Sequence, residues 1–483
     1  MSSETLYRSH PAPRSAYSDE VVISQNANPI EPPPVLPPEP PRRREGLLVA
    51  TAVILGAAAV LGGIIGVQRL GVSGLGDVGF GDSGEQIAAE DQTDSSSTTV
   101  PDIPPADSDQ DNQDADEAPN PDGDQVENEE AAPQPLVESV PCPSQYDDVI
   151  CDAADFVQQA RGRPFKEFPN IELLEDAQFD EALLEDFEES REDFIEDERL
   201  MKSLGLLPTD LDLFETFREL LEIGVVGFYD PETGRLVVRG DEFNLYGQSV
   251  LVHELVHALD DQWFDLNRDD FDSDDAQYGY LAVVEGNASR IDRMWQESLS
   301  NGELADFFEQ ELGALAPEDL DRLGSLPRIL LNLQASPYQD GDTYVSSLVA
   351  EGGEESIDEY LTNPPTSSEQ VLHPDADPDT LTVIDVEPPP VDGPVTSQST
   401  AGELIVRFWL GGAAGDGWGG DTYVTWNDGD RICSTVDIVA DTEPDLAELG
   451  RAAEVWSQGA GDLRSFELID SVDGSKLRVT GCY

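Results

Sequence analysis

The chain has 483 residues, with 101 Asp and Glu against 26 Lys and Arg and a formal net charge of −75. This balance argues against nucleic acid as a partner, because phosphate binding requires a basic surface. The length allows one large domain or two medium domains, each able to bury its own core.

The N-terminal region predicts a membrane anchor. Residues 1–45 contain a proline cluster at Pro32–Pro41 and predict a disordered cytoplasmic tail. Residues 46–67 form an uncharged stretch of 22 residues, long enough for one transmembrane helix. A cleaved signal peptide is the alternative, but its apolar part would be shorter and nearer the N-terminus. Because Arg42–Arg44 precede the stretch, the N-terminus is predicted to be cytoplasmic and the rest of the chain extracytoplasmic.

An acidic segment follows the anchor. Residues 68–140 are rich in Asp, Glu, Ser and Pro, with no Lys or Arg between Asp82 and Glu138. Like charges and scarce aromatic residues predict a disordered stalk.

The chain contains four cysteines, and all of them lie on the predicted outer side of the membrane. An extracytoplasmic compartment permits disulfides, and four cysteines allow three pairings. Closeness in sequence favours Cys142 with Cys151 and Cys433 with Cys482, while the spacing alone leaves the other pairings open.

Folded sequence begins near Cys142, and its periodicity is helical as far as Gly224. Two β-rich runs around a D-P-E-T-G turn then predict a hairpin at Val225–Val238. Apolar helices are predicted over Val250–Trp263, over Tyr278–Leu299 and within residues 305–360. Beyond residue 400 we predict a short helix, two strands, a further helix and a last hairpin that ends at Cys482. The predicted fold class is therefore α+β.

The segment V-L-V-H-E-L-V-H predicts a metal site. Residues four apart lie on one face of a helix, so His253 and His257 can bind a single zinc ion. Glu254 lies beside the first ligand, where it can act as a general base on water at the metal. The alternative is a core helix that carries two satisfied histidines.

A catalytic zinc ion keeps three protein ligands and one open position. The third ligand is then His373 or an acid, and Glu285 is the best candidate because it lies on an apolar helix where an unpaired charge is costly. Asp261, one turn after His257, is a candidate acceptor for a ligand imidazole.

Three segments together resemble a known group of enzymes. They are H-E-L-V-H-A-L-D-D-Q-W-F-D-L, V-V-E-G-N-A-S and P-P-T-S-S-E-Q-V-L-H-P, followed by a Gly-Trp-Gly-Gly-Asp segment at Gly417–Asp421. The first two resemble the gluzincins, the thermolysin-like zinc metallopeptidases. The whole order resembles a bacterial family of membrane-anchored or lipoprotein-type metallopeptidases with the patterns H-E-x-T-H-A-L-Q-D-Q, V-E-G-D-A and S-T-E-Q-[IV]-L-H-P. Asn287 departs from the acid of that pattern.

The resemblance implies a zincin-like metallopeptidase domain over residues 141–395, with a C-terminal α+β part over 396–483 packed on it. It implies that His253, His257 and Glu285 bind zinc and that Glu254 is the base for hydrolysis of peptide bonds by a zinc-activated water. The implied substrate is a protein or peptide. Two alternatives stay open: a cell-wall amide hydrolase that uses the same site, and a zinc-stabilised binding or scaffold module without catalysis.

Three further residues are candidates near the metal. His373 is predicted to stabilise an oxyanion or bind substrate, with zinc ligation and a structural turn before proline as alternatives. Tyr338 or Tyr344 could serve as the oxyanion donor instead.

Overall fold

The computed structural model describes residues 137–483 except 186, 241–242, 378–379 and 472–473. The predicted tail and membrane helix, together with nearly all of the predicted stalk, lie outside these residues. Within the described part of the chain, no helix has the length and apolar character needed to cross a membrane.

Most of the described residues between 137 and 372 are helical, and several helices are capped by side chains at their N-termini. Asn244 caps the helix that carries the two histidines by accepting from the Gly247 N–H, and Asp265 ends it with a φ of 57°. In chain order the helices are α1 (Asp148–Ala160), α2 (Asp176–Leu184), α3 (Arg191–Ser203), α4 (Leu213–Gly224), α5 (Leu245–Phe264), α6 (Asp274–Ser298), α7 (Asn301–Gly313), α8 (Pro317–Ser325), α9 (Arg328–Gly352), α10 (Glu355–Thr362), α11 (Ser368–Leu372), α12 (Gly402–Leu410), α13 (Gly412–Gly415) and α14 (Glu443–Ser457).

A small mixed sheet lies beside α5. Its strands are β1 (Ile171–Leu174), β2 (Gly227–Asp230) and β3 (Arg235–Arg239), in the order β1-β3-β2. The predicted hairpin is confirmed, since β2 pairs antiparallel with β3. The prediction of helix throughout Cys142–Gly224 is wrong at β1, which pairs parallel with β3.

The C-terminal region forms a second sheet, which is antiparallel throughout. Its strands are β4 (Val395–Ser399), β5 (Trp418–Asp428), β6 (Arg431–Ala440), β7 (Arg464–Ser471) and β8 (Gly474–Cys482), in the order β4-β5-β6-β8-β7. β4 was not predicted, and β5 begins at Trp418, within the Gly417–Asp421 segment. The predicted α+β class is confirmed.

Both predicted disulfides are present. Cys142 is bonded to Cys151 at the start of the described chain, and Cys433 is bonded to Cys482. The second bond joins residues that lie opposite each other on β6 and β8. Sheet register therefore places these two sulfurs within bonding distance.

Helices α6 and α9 cross with their backbones in contact. A Cβ on Gly286 would lie 2.2 Å from the carbonyl carbon of Gly341, and a Cβ on Gly341 would lie 2.2 Å from the Ala282 oxygen. Only glycine permits this approach. Because Gly286 follows Glu285 directly, the crossing places α9 beside the predicted metal ligand.

Candidate metal centre

The predicted ligands come together in the structure. His253 Nε2 lies 3.2 Å and His257 Nε2 lies 3.4 Å from Glu285 Oε2. One ligand atom from each side chain lies within 4.8 Å of the other two, and all three residues are buried. This group could bind a metal ion, and among the described residues it is the one cluster of His, Cys, Asp and Glu side chains close enough to do so.

Helix geometry explains how the ligands meet. His253 and His257 lie one turn apart on α5, and their ring centroids are 4.8 Å apart. The rest of α5 anchors in the core through Val250, Leu251, Val252, Leu255 and Val256, each at most 3% exposed. With α5 fixed in this way, the two imidazoles point toward Glu285 on α6.

Burial and neighbouring charges act on Glu285 and His253 in the group. Burial raises the pKa of Glu285, but the imidazoles of His257 and His253 outweigh this effect and lower the pKa to about 2. Burial lowers the pKa of His253, and the Glu285 carboxylate only partly opposes the change. The lowered pKa values of Glu285 and His253 favour an ionised carboxylate and a neutral imidazole, the forms in which these two side chains bind a metal ion.

Several buried polar atoms around the group lack a hydrogen-bond partner among the described residues. They are both carboxylate oxygens of Glu254, His257 Nε2, Glu285 Oε1 and the Tyr338 hydroxyl. Buried polar atoms are nearly always paired, so a concentration of unpaired ones at one place indicates a missing group. A metal ion fits this donor set, because His257 Nε2 and Glu285 Oε1 are atoms of metal-ligating side chains and Glu254 would be an acceptor for water on the metal.

Glu254 is fully buried beside strand β2. A Cβ on Gly227 of β2 would lie 3.5 Å from Glu254 Cγ, so the strand passes directly over this side chain. Burial, and then the charge of Glu285, raise the pKa of Glu254 well above its ordinary value. The backbone N–H of Tyr229 opposes the rise, although it lies outside hydrogen-bonding geometry. A bound dication would also lower this pKa.

The structure separates the two candidate tyrosines. The Tyr338 ring stacks on the His253 ring with centroids 5.8 Å apart, and the charges of Glu285 and Glu254 act on its hydroxyl. Tyr344 packs edge-on against Tyr360 instead. Tyr338 is therefore the tyrosine at the metal group.

The prediction that Asp261 accepts a hydrogen bond from a ligand imidazole is wrong. Its Oδ2 accepts from the Tyr229 hydroxyl at 2.6 Å, and its Oδ1 accepts from the Leu266 N–H at 2.8 Å. Asp261 therefore fixes the C-terminal end of α5 against β2.

Sequence reasoning missed Asp292, a partly buried acid near His253. Ser249 donates to Asp292 Oδ1 at 2.5 Å, and the charges of Asp292 and His253 act on each other. Burial raises the pKa of Asp292 to about 6. The signal available in the sequence was its spacing, seven residues or two turns after Glu285 on α6.

His373 is not a member of the metal group. Its Nε2 lies 2.9 and 3.0 Å from the two carboxylate oxygens of Glu403, which also accepts from Arg407 at 3.2 Å. Hydrogen bonding to Glu403 raises the pKa of His373. These contacts favour the structural alternative for His373, whereas its catalytic role stays a prediction.

A separate cavity lies between the helical region and the C-terminal sheet. It is lined mainly by apolar side chains from α3, α6, α9 and α12, including Leu200, Met201, Leu333 and Leu404. None of the metal-group residues lines it, so the chemistry is assigned to the buried group rather than to this cavity.

No protein-family model, curated protein or solved structure matches this chain. The resemblance to the gluzincins therefore stays a prediction from the motifs.

Proposed function

We propose that the chain is a membrane-anchored zinc metallopeptidase of the gluzincin kind, with its site outside the cytoplasm. The observation that carries the proposal is the convergence of His253, His257 and Glu285 around one point, with the unpaired carboxylate of Glu254 beside them. A purely structural metal site closes its coordination with a fourth protein ligand. Here the group has three ligands and an adjacent acid, as hydrolytic zinc sites do.

The donor set supports zinc. Two imidazoles and one carboxylate suit this ion, and they match the ligand set of catalytic zinc in peptidases. Bound zinc supplies a Lewis acid that polarises a carbonyl and acidifies water.

Glu254 is proposed to hold and move the proton. Both of its oxygens are free of protein hydrogen bonds, so the carboxylate is available to take a proton from water and return it to the leaving amine. Its enclosed position excludes bulk solvent, which strengthens its interactions with charges that develop during the reaction.

Tyr338 is proposed to donate a hydrogen bond to the oxyanion. Its hydroxyl is buried and makes no hydrogen bond of normal geometry within the described protein, although it lies close enough to Glu285 for that carboxylate to raise its pKa, and its ring is held against His253. Burial, together with the charges of Glu285 and Glu254, raises the pKa of Tyr338, so the hydroxyl keeps its proton at neutral pH. Donors preorganised in this way contribute strongly to acyl-transfer catalysis.

An extended peptide suits the site because β2 is an edge strand. β2 pairs only with β3 among the described strands, and Gly227 brings its backbone beside Glu254. A peptide added to this edge by backbone hydrogen bonds would run past the base. The enclosure of the site favours short or unfolded peptides over folded proteins.

The test uses the full chain in detergent, loaded with zinc and incubated with a mixed library of short peptides. Wild type should cleave the library, and Glu254→Gln should bind zinc equally while losing about 10²- to 10⁴-fold in rate. The matched control is Glu311→Gln, which alters another buried glutamate outside the metal group and should retain activity.

The same preparation separates the alternatives. Cleavage of peptidoglycan but of no library peptide would identify a cell-wall amide hydrolase. Wild type and Glu254→Gln that bind zinc and are equally inert on both substrates would identify a binding module and contradict the proposed peptidase.

A further inference from the structure

A buried hydrogen bond joins the two helices that carry the metal ligands. Asn287 Nδ2 on α6 donates to Asp260 Oδ2 on α5 at 2.6 Å. Asp260 lies three residues after His257, and Asn287 lies two residues after Glu285. On each helix the bond is therefore less than one turn from a ligand.

Each end of this bond is held by an arginine. Arg161, at the end of α1, donates from Nε to Asp260 Oδ1 at 2.8 Å and from Nη2 to Asp358 on α10 at 2.8 Å. Arg290 donates to Asn287 Oδ1 at 3.2 Å and forms an ion pair with Glu354 at 2.7 Å. The chain of polar contacts thus extends from α1 through both ligand helices to the start of α10.

The polar chain is almost completely enclosed. Asp260, Asn287 and Arg161 are each at most 2% exposed. A buried charge pair contributes little net stability compared with apolar packing, but its directional bonds fix the relative position of the elements that it joins. Here the fixed elements are α5 and α6, whose separation sets the distance from His257 to Glu285.

We propose that Asp260 and Asn287 are positioning residues that hold α5 and α6 at the separation needed for three-ligand metal binding. This inference rests on the metal site of the proposed function, but it does not depend on which bond the enzyme hydrolyses. Neither residue touches the metal or substrate; both act through the backbone of the ligand helices.

The chemistry of the pair allows a swap experiment. In Asp260→Asn one acceptor oxygen is replaced by a donor, so the side chain can no longer accept from both Arg161 and Asn287. In Asn287→Asp two carboxylates face each other. In the double variant the new amide at position 260 donates to the new carboxylate at position 287, so the direction of the bond is reversed. Arg161 then faces the amide oxygen at position 260, and Arg290 faces the carboxylate at position 287. Rescue by the double variant would show that the bond matters rather than either residue alone.

The measurements are the zinc dissociation constant of the full chain, by chelator competition, and the visible absorption of its cobalt(II) form, which reports coordination geometry. Each single variant should weaken zinc binding about 10- to 100-fold and change the cobalt spectrum, as loss of outer support for a metal site does. The double variant should recover most of the affinity and the wild-type spectrum.

The control is Asp437→Asn, which breaks a buried carboxylate's pairing with Arg478 at 2.6 and 2.8 Å in the second sheet. It should leave zinc affinity unchanged. If Asp260→Asn does not fold, Asn287→Ala removes the same bond while keeping the pair of Asp260 with Arg161.

Unchanged zinc affinity in folded single variants would overturn the inference, as would a double variant that binds no better than the singles or a wild type that binds no zinc. A wild type that binds zinc but cleaves no peptide would refute the proposed peptidase and leave the positioning role standing.

Discussion

Tyr338 and Tyr344 lie six residues apart on α9, yet only Tyr338 lies at the metal group. The stacking of Tyr338 on His253 and the packing of Tyr344 against Tyr360 give two identical side chains different surroundings. Because the two side chains are the same and only one lies at the metal group, substitution of each tests whether a tyrosine hydroxyl stabilises the oxyanion.

Tyr338→Phe should lower kcat about 10²- to 10³-fold, because it removes one preorganised donor, while zinc affinity stays close to wild type. Tyr344→Phe should retain wild-type kcat. Peptide-cleavage kinetics with zinc content measured on the same samples would check both values. Equal kcat for Tyr338→Phe and Tyr344→Phe would refute the role given to Tyr338.

For individual residues, the sequence predicts the metal group well. The spacing of His253 and His257 is local and is fixed by helix geometry alone, and a charged Glu285 on an apolar helix requires a partner. The choice between the tyrosines and the place of Asp292 depend on how helices pack, which no local pattern encodes. Asp261 was assigned to a ligand imidazole because it lies one turn after His257. Its partner, Tyr229, lies on β2, and no local pattern in the sequence indicates that contact.

The element on which the site most depends is the crossing of α6 and α9. Gly286 and Gly341 let the two backbones touch, and this contact brings Tyr338, one turn before Gly341, toward Glu285. A side chain at the crossing would force the helices apart.

Gly286→Ala should therefore destabilise the fold by about 1–3 kcal/mol, as overpacking does, and weaken zinc binding. Gly313→Ala is the control, since a Cβ there meets nothing within 4 Å and alanine favours a helix. Urea unfolding and zinc competition would measure both effects. A Gly286→Ala chain with wild-type stability and zinc affinity would show that the crossing is not tight.

Elements with local signals were predicted, and those that depend on distant partners were not. The β2–β3 hairpin has its turn in the sequence, whereas β1 pairs with a strand more than sixty residues later. A short apolar run such as Ile171–Leu174 cannot be assigned to helix or strand by periodicity alone. Asn287 stands where the resembled pattern has an acid, and Asp260 stands where it has Gln. The structure pairs these two residues, because the Asn287 amide donates to the Asp260 carboxylate.

In the whole molecule, the later motifs join the helical region to the second sheet. The Ser368 N–H donates to Asp275 Oδ1 at 3.0 Å, and the Leu404 N–H donates to the Ser368 hydroxyl at 3.1 Å. Asp421 accepts from the Ala401 and Gly402 N–H groups and from the Trp418 indole. In the sequence these motifs indicate only a resemblance to a family. That they connect the helical region to the second sheet follows from the three-dimensional contacts.

This junction predicts a pH-dependent stability. Burial raises the pKa of Asp275 from 3.8 to about 8, with the charges of Asp421 and Glu403 adding to the rise. Between about pH 4 and pH 8 the folded chain therefore holds a proton that the unfolded chain releases. The contribution of Asp275 is fully present below pH 3.8 and is lost as pH rises through 8.

Asp275→Asn should accordingly gain stability relative to wild type as pH rises from about 5 to about 8, because the amide cannot ionise. Urea unfolding at several pH values would measure the difference, with the exposed Glu318→Gln as control. Parallel stability profiles for wild type and Asp275→Asn would contradict the protonated state of this acid.

The proposed enzyme requires His253, His257 and Glu285 to bind zinc at one point in the fold. Anomalous diffraction at the zinc absorption edge, from crystals of the zinc-loaded chain, would test this binding directly. We expect a single strong peak within coordination distance of His253 Nε2, His257 Nε2 and a Glu285 carboxylate oxygen. A map with no peak among these atoms, or with its main peak elsewhere, would contradict zinc binding at this site.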